Sequence, residues 1–127
     1  MKQAVETSSA PAPGGAYSQA IMWNGLLFTA GLTPADPATR RVAGPTIKEQ
    51  THQVLKNLGE ILGAAGFTFD DVLKVTVHLA DIDRDFQGFN EVYATYVNPP
   101  FPARTTVGSR LAGFLVEIDM VAGGRDS

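Results

Sequence analysis

Between Pro45 and Gly66 apolar residues return at helical spacing without a break, and no other stretch restricts the fold of this chain so strongly. Ile47, Val54, Leu55, Leu58, Ile61, Leu62 and Ala65 form one stripe, while Lys48, Lys56 and Glu60 fall outside it. Thr46 and Glu49 stand at capping-box spacing, Pro45 marks where the helix begins, and Gly66 is placed to end it. A helix with a single apolar face must bury it against another layer. The chain supplies that layer next. In Val72 to Leu79, Val75, Val77 and Leu79 alternate with Lys74, Thr76 and His78, the period of a half-buried strand.

The remaining segments extend this two-layer scheme. Asn24-Gly25 separates two apolar runs, Ala20 to Trp23 and Leu26 to Ala30, and both residues tolerate the positive φ of a type I′ hairpin turn. Asp83 is placed to cap a second helix whose Phe86, Phe89, Tyr93 and Tyr96 share one face and read as core, and Asn98-Pro99-Pro100 must end it. Strands are expected at Arg104 to Val107 and at Leu115 to Val121. In the latter, Val116, Ile118 and Met120 share one face, while Leu115, Glu117, Asp119 and Val121 share the other. Pro34 to Gly44 reads as an exposed loop. Residues 1–15, rich in Ser, Ala, Pro and Gly, read as a flexible or extended lead-in, with folding beginning near Tyr17. The order predicts a single α+β domain over residues 1–127, with two helices on one face of a largely antiparallel sheet. The other face carries Lys74, Thr76, His78, Glu117 and Asp119, too polar for a dry core, and predicts an oligomer with a wet interface.

The 127 residues include no Cys, which removes disulfides, thiolate metal sites, iron–sulfur clusters and a Cys nucleophile together. Ten Lys and Arg against thirteen Asp and Glu leave a net charge of −3 and no basic stripe, which argues against nucleic acid as a partner. The amino-terminal segment lacks the apolar run of a signal peptide or membrane anchor, so no membrane association and a cytoplasmic location are expected. His52 and His78 stand far apart without carboxylates at ligand spacing, so no metal is expected. Neither Gly-x-Gly-x-x-Gly nor Gly-Lys-Ser occurs, and neither Ser18 nor Ser109 lies in Gly-x-Ser-x-Gly. Acid–base chemistry without a nucleophile is what is left.

Two residues fit that chemistry. Arg104 opens a strand behind Phe101-Pro102-Ala103, where its guanidinium either holds a carboxylate bidentately or forms a surface salt bridge. Glu117 is flanked on its own face by Leu115 and Asp119. It serves as a general acid/base if burial and like charge raise its pKa, and is part of a solvated strand face otherwise. Tyr17 offers a phenol to a ligand or packs at the first strand. Asn90, one position beyond Phe89, reaches a ligand or faces solvent.

Taken in order, Ala10-Pro11, Gly15-x-Tyr17-Ser18-Gln19-Ala20, Asp71-Val72-x-Lys74-x-Thr76-Val77, Asn90-x-x-Tyr93, Pro102-Ala103-Arg104-Thr105 and Val116-Glu117-Ile118 form a pattern. It resembles that of the RidA/YjgF family of reactive-intermediate deaminases, from about Ala10 to Ala122. The resemblance implies a chorismate-mutase-like protomer with a six-stranded sheet, and a homotrimer whose sheets form a central barrel with three clefts between subunits. It implies that Arg104 binds a substrate carboxylate and that Glu117 positions and activates water. Tyr17, Gly31 and Asn90 join them in the cleft, with Ala30 and Thr106 at further substrate-binding positions. The implied reaction is hydrolysis of an enamine or imine to a 2-oxo acid and ammonia, with no cofactor and a small carboxylate as partner. The archetypal substrate of such proteins is 2-aminoacrylate.

Four positions depart from that pattern: Ala16 stands where Pro is frequent, Ala30 for a Ser, Leu32 for a Gln and Thr106 for a Cys. Loss of the Ser hydroxyl makes the implied cleft more apolar and points to a longer substrate, such as an aminomuconate-like compound. Two other readings stay open. A module that only binds a small carboxylate would retain Arg104 yet tolerate loss of Glu117. The endoribonuclease activity ascribed to some relatives is disfavoured by the negative net charge.

Overall fold

Helical spacing and alternation resolve into six strands and two helices: β1 (Gln3–Val5), β2 (Ala20–Trp23), β3 (Leu26–Thr29), α1 (Ile47–Ala64), β4 (Val72–Leu79), α2 (Ile82–Tyr93), β5 (Ala103–Gly108) and β6 (Val116–Gly123). The computed structural model describes residues 1–124. The strands form one sheet in the order β1-β2-β3-β6-β4-β5. Every neighbouring pair is antiparallel except β4 and β5, the two strands that flank α2 in the chain. The expected α+β architecture is therefore present, with α1 and α2 packed on one another and on the same face of the sheet.

Local chemistry explains most boundaries. Asn24 and Gly25, at φ of 50° and 77°, make the β2–β3 turn, and Gly66, at φ of 83°, follows α1 in the left-handed region that lacks a penalty only for glycine. The Thr46 hydroxyl accepts the Glu49 backbone N–H at 3.2 Å and donates to the Glu49 carboxylate at 2.9 Å. The return half of that expected capping box, from the Thr46 backbone N–H to the Glu49 side chain, is not formed. A complete box stands instead at Thr68 and Asp71, where a short 3₁₀ turn leads into β4. The α1 stripe of Leu55, Leu58, Ile61 and Leu62 meets Val75, Val77, Ile118 and Met120 from the sheet, each at most 1% exposed. No helix among the described residues is long and apolar enough to cross a membrane.

The structure corrects four expectations. Folding begins well before Tyr17: β1 pairs with β2, from Gln3 opposite Met22 to Val5 opposite Ala20. The buried Gln19 side chain ties down the rest of the lead-in, accepting the Thr7 N–H at 2.7 Å and donating to the Thr7 and Pro11 carbonyls at 3.0 and 2.9 Å. A buried amide that replaces ladder hydrogen bonds orders a segment whose composition carries no periodicity. Asp81, not Asp83, caps α2, its carboxylate accepting from the Arg84 backbone N–H at 3.2 Å. The helix starts early because Ile82 packs on the core. Tyr96 lies beyond α2 and turns to His52 and Phe69, so it leaves the aromatic stripe. Leu115 precedes β6, its backbone N–H bound to the buried Gln50 side chain at 2.8 Å.

Candidate active site

Register decides which way each candidate residue faces. In the parallel pair, Arg104 lies opposite Val75 and Thr106 opposite Val77, and both valines are fully buried under the helices. Side chains directly opposite in a sheet leave the same face, so Arg104 and Thr106 project toward α2. There the Arg104 guanidinium donates from Nη1 to the Asn90 Oδ1 at 2.9 Å. Its central carbon stands 4.8 Å from the Tyr93 ring centroid, 5.4 Å from Phe89 and 5.8 Å from Phe86. Phe86, Phe89, Asn90 and Tyr93 follow one another at helical spacing, so one face of α2 is a seat of three rings and an amide for one guanidinium.

That seat explains why Phe86 is 41% exposed although its stripe reads as core: it borders the arginine and not the interior. Burial pushes the Tyr93 phenol above its ordinary range, and the nearby Arg104 charge partly opposes the shift. Arg104 takes part in no ion pair among the described residues, so the surface salt bridge is not formed. A guanidinium has five N–H donors. Held by a neutral amide and three ring faces, this one keeps most of its hydrogen-bonding capacity for an anion.

Glu117 belongs to the other face. It lies opposite His78, and Asp119 lies opposite Thr76, all half-exposed, while Val116, Ile118 and Met120 point to the helices with at most 1% exposure. Leu32 and Ile118 exchange two backbone hydrogen bonds, of 2.8 and 3.1 Å, and this clamp sets Gly31 against the Glu117 side chain. A Cβ added at Gly31 would come within 2.6 Å of Glu117 Oε2, so the carboxylate occupies the space a side chain would need. Ala30, Gly31 and Tyr17 line a recess of about 50 Å³. Tyr17 is 55% exposed, ahead of β2, and its hydroxyl accepts the Gly14 N–H at 3.1 Å. On the same face burial holds the Asp119 carboxyl above the ordinary Asp range, with His78 and Lys74 pulling it back.

Arg104 and Glu117 therefore do not converge within one chain. Arg104, Asn90 and Thr106 gather on the helix side of the edge strand, and Glu117, Gly31, Ala30 and Tyr17 on the open side of the sheet centre. Leu32 is 5% exposed and packs in the core, with its edge lining the same recess as Tyr17, Ala30 and Gly31. Sequence reasoning missed the arginine seat and the Gln19 clamp. The seat had a signal, the aromatic spacing of α2, but nothing local shows that its partner is Arg104.

The model of the family described as Endoribonuclease L-PSP matches residues 7–123. The chain is 48% identical over 124 residues to a RutC family protein of Pyrococcus horikoshii, covering 96% of this chain and 98% of that protein. It is 41% identical over 124 residues to 2-iminobutanoate/2-iminopropanoate deaminase of Rattus norvegicus, covering 96% and 90%. The crystal structure of E. coli TdcF with bound serine matches at a TM-score of 0.89 and 30% identity, covering 97% of this chain and 99% of that one.

Proposed function

This chain belongs to the RidA/YjgF family, and from that premise we propose that it hydrolyses 2-imino acids, or the enamines from which they form, to 2-oxo acids and ammonia. The deaminase name of the rat relative and the serine bound to TdcF, an amino acid with its own carboxylate, support a substrate of this class. In this reading Arg104 grips the substrate carboxylate with the donors that Asn90 leaves free. Glu117 takes a proton from water as the oxygen attacks the imine carbon. The C–O bond forms, the C=N π pair moves to nitrogen, and nitrogen takes up a proton. A second proton turns that amine into an ammonium group, the C–N bond breaks with its σ pair leaving on nitrogen as ammonia, and the hydroxyl gives up its proton, replacing the one nitrogen took, as the C=O bond of the 2-oxo acid forms.

The carrying observation is the division of the site over two faces of one sheet. A carboxylate grip and a water-activating base act on one small molecule only if Arg104 of one copy meets Glu117 of another. The half-exposed polar face of β4 and β6 is the surface on which copies would meet, as a homotrimer with shared clefts. An endoribonuclease reading finds less support, since the net charge is −3 and the arginine is backed by rings and not by a basic stripe.

The test is ammonia release from enzymatically generated 2-iminopropanoate. Arg104→Ala should lower kcat/KM by about 100-fold or more, through loss of charge-assisted hydrogen bonds. Glu117→Gln should lower kcat by about 100- to 10,000-fold. Mixing the two inactive proteins under conditions of subunit exchange should restore up to about a quarter of the sites, because only mixed neighbours pair an intact Arg104 with an intact Glu117. No recovery after demonstrated exchange would place both residues in one chain's site, a fully active Glu117→Gln would remove Glu117 from the chemistry, and no ammonia release above the uncatalysed rate from the unmodified protein would leave only a carboxylate-binding module.

A further inference from the structure

Beyond the guanidinium seat, the chain forms an open cavity of about 300 Å³ that the proposed hydrolysis of a small imine does not use. Tyr93, Ala94 and Val97 wall it from the end of α2 and the turn after it, and Phe101 and Pro102 wall it from the segment entering β5. Arg104 and Asn90 form its polar edge. The volume lies at the lower end of small-molecule sites, and the lining has their usual character, mostly carbon with a few convergent polar groups. The other hollows differ. The recess at Gly31 holds about 50 Å³, and a hollow of about 480 Å³ mixes Glu6, Thr7, Ser8 and Arg40 with alanines and prolines in its lining.

Two features set this cavity apart from a packing defect. Phe101 is 64% exposed, a large ring held out between Pro100 and Pro102, whose locked φ angles leave the segment little freedom to fold the ring inward. The Tyr93 hydroxyl, in a residue only 5% exposed, has no hydrogen-bond partner among the described residues. Native chains rarely leave a buried hydroxyl unmatched or a phenylalanine that exposed without a reason at that place. The Tyr93 side chain and Phe101 border the same space as the guanidinium that is free to take an anion.

An occupant of this space must satisfy two chemistries at once. Its anionic end goes to Arg104 and its apolar end lies among Ala94, Val97 and Phe101. A 2-imino acid has that form, with its side chain one carbon from its carboxylate. We propose, resting on the deaminase reading of Arg104, that this cavity receives the substrate's side chain and that the protein selects 2-imino acids with leucine- to phenylalanine-sized apolar side chains over 2-iminopropanoate. A methyl group leaves the cavity largely water-filled, while each further methylene buried there is worth about fourfold in affinity. Any widening of substrate range thus comes from the space behind Arg104.

The experiment compares kcat/KM for imines generated in situ from alanine, leucine and phenylalanine by an amino-acid oxidase, read as 2-oxo acid and ammonia. The unmodified protein should favour the two larger imines by about 10-fold or more. Ala94→Phe places a ring in the cavity from an exposed position and should lower the ratio of large to small imine by about 10-fold. Phe101→Ala opens one wall and should lower the same ratio less. A ratio at or below one in the unmodified protein would overturn the proposal without any substitution, as would an Ala94→Phe protein that loses the same factor on all three imines. Acceleration of none of them would instead overturn the deaminase reading on which the proposal stands.

Discussion

The two faces of the sheet are built from the same strands and have opposite characters. Along β6, Val116, Ile118, Met120 and Ala122 are at most 1% exposed under the helices, while Glu117, Asp119 and Val121 between them stay half-exposed. The helix side is closed: α1 and α2 cover it, and of the polar side chains buried in α1, Gln50 and Asn57 have partners, Asn57 donating to the Thr33 and Ala35 carbonyls at 3.1 and 2.9 Å, while the Thr51 hydroxyl has none among the described residues. The open side holds Lys74, His78 and Asp119 against no second layer, with Lys74 bound to Thr105 at 2.7 Å and His78 to Ser109 at 2.7 Å. One face supplies the stability of the chain and the other supplies half of the proposed chemistry. Dry packing and reactive carboxylates cannot share a face, because an unpaired charge in a dry core costs more than the core returns.

Substitutions on the two faces should therefore fail differently. Leu58→Ala, in the closed core, is expected to lower the unfolding free energy by about 2–5 kcal/mol in denaturant titrations. Val121→Lys, on the open face, should keep the helical circular dichroism and cost well under that, showing instead as a smaller species in sedimentation. Equal loss of structure from both would erase the contrast.

A finer test lies at the clamp between Leu32 and Ile118. Gly31→Ala puts a methyl group where the Glu117 carboxylate now sits, and the flexible end of that side chain can move aside. The melting temperature should hardly change while kcat falls by about 10- to 100-fold, the usual result of displacing a reacting group by an ångström. A fully active Gly31→Ala would show that Glu117 has no fixed position to lose.

The smallest effect belongs to Asp119. Its carboxyl is raised chiefly by burial, so the folded chain binds that proton more tightly than the unfolded chain does. The favourable share is present below the ordinary Asp range and is lost as pH rises through the raised value, which leaves a charged, partly desolvated group near neutrality. Asp119→Asn should raise the melting temperature slightly near about pH 7, and the gain should shrink as pH falls into the carboxylate range. A gain that persists in acid would point to a cause other than charge.

Much of this was legible in the sequence, and unevenly. The α1 stripe, the alternation of β4 and β6 and the Asn24-Gly25 turn were readable because each depends on neighbours a few residues away. The candidate residues Arg104, Glu117, Gly31 and Asn90 were readable by resemblance to a known pattern. Their surroundings were not. The Arg104–Asn90 bond spans 14 positions, and Gly31 meets Glu117 across a strand pair, contacts without a local periodicity. The lead-in was misjudged for the same reason, since β1 is ordered by β2 and by the Gln19 side chain and not by its own composition.

By itself the sequence determined which residues face together along each element, because periods of two and 3.6 are properties of the backbone. It determined too that one sheet face would be too polar for a dry core. Only the tertiary structure decided that the aromatic stripe of α2 carries an arginine, that Leu32 is core, and that Arg104 and Glu117 lie on opposite faces of one sheet. Those facts depend on strand order and on the parallel register of β4 with β5, which are settled by how whole layers pack and not by any run of residues.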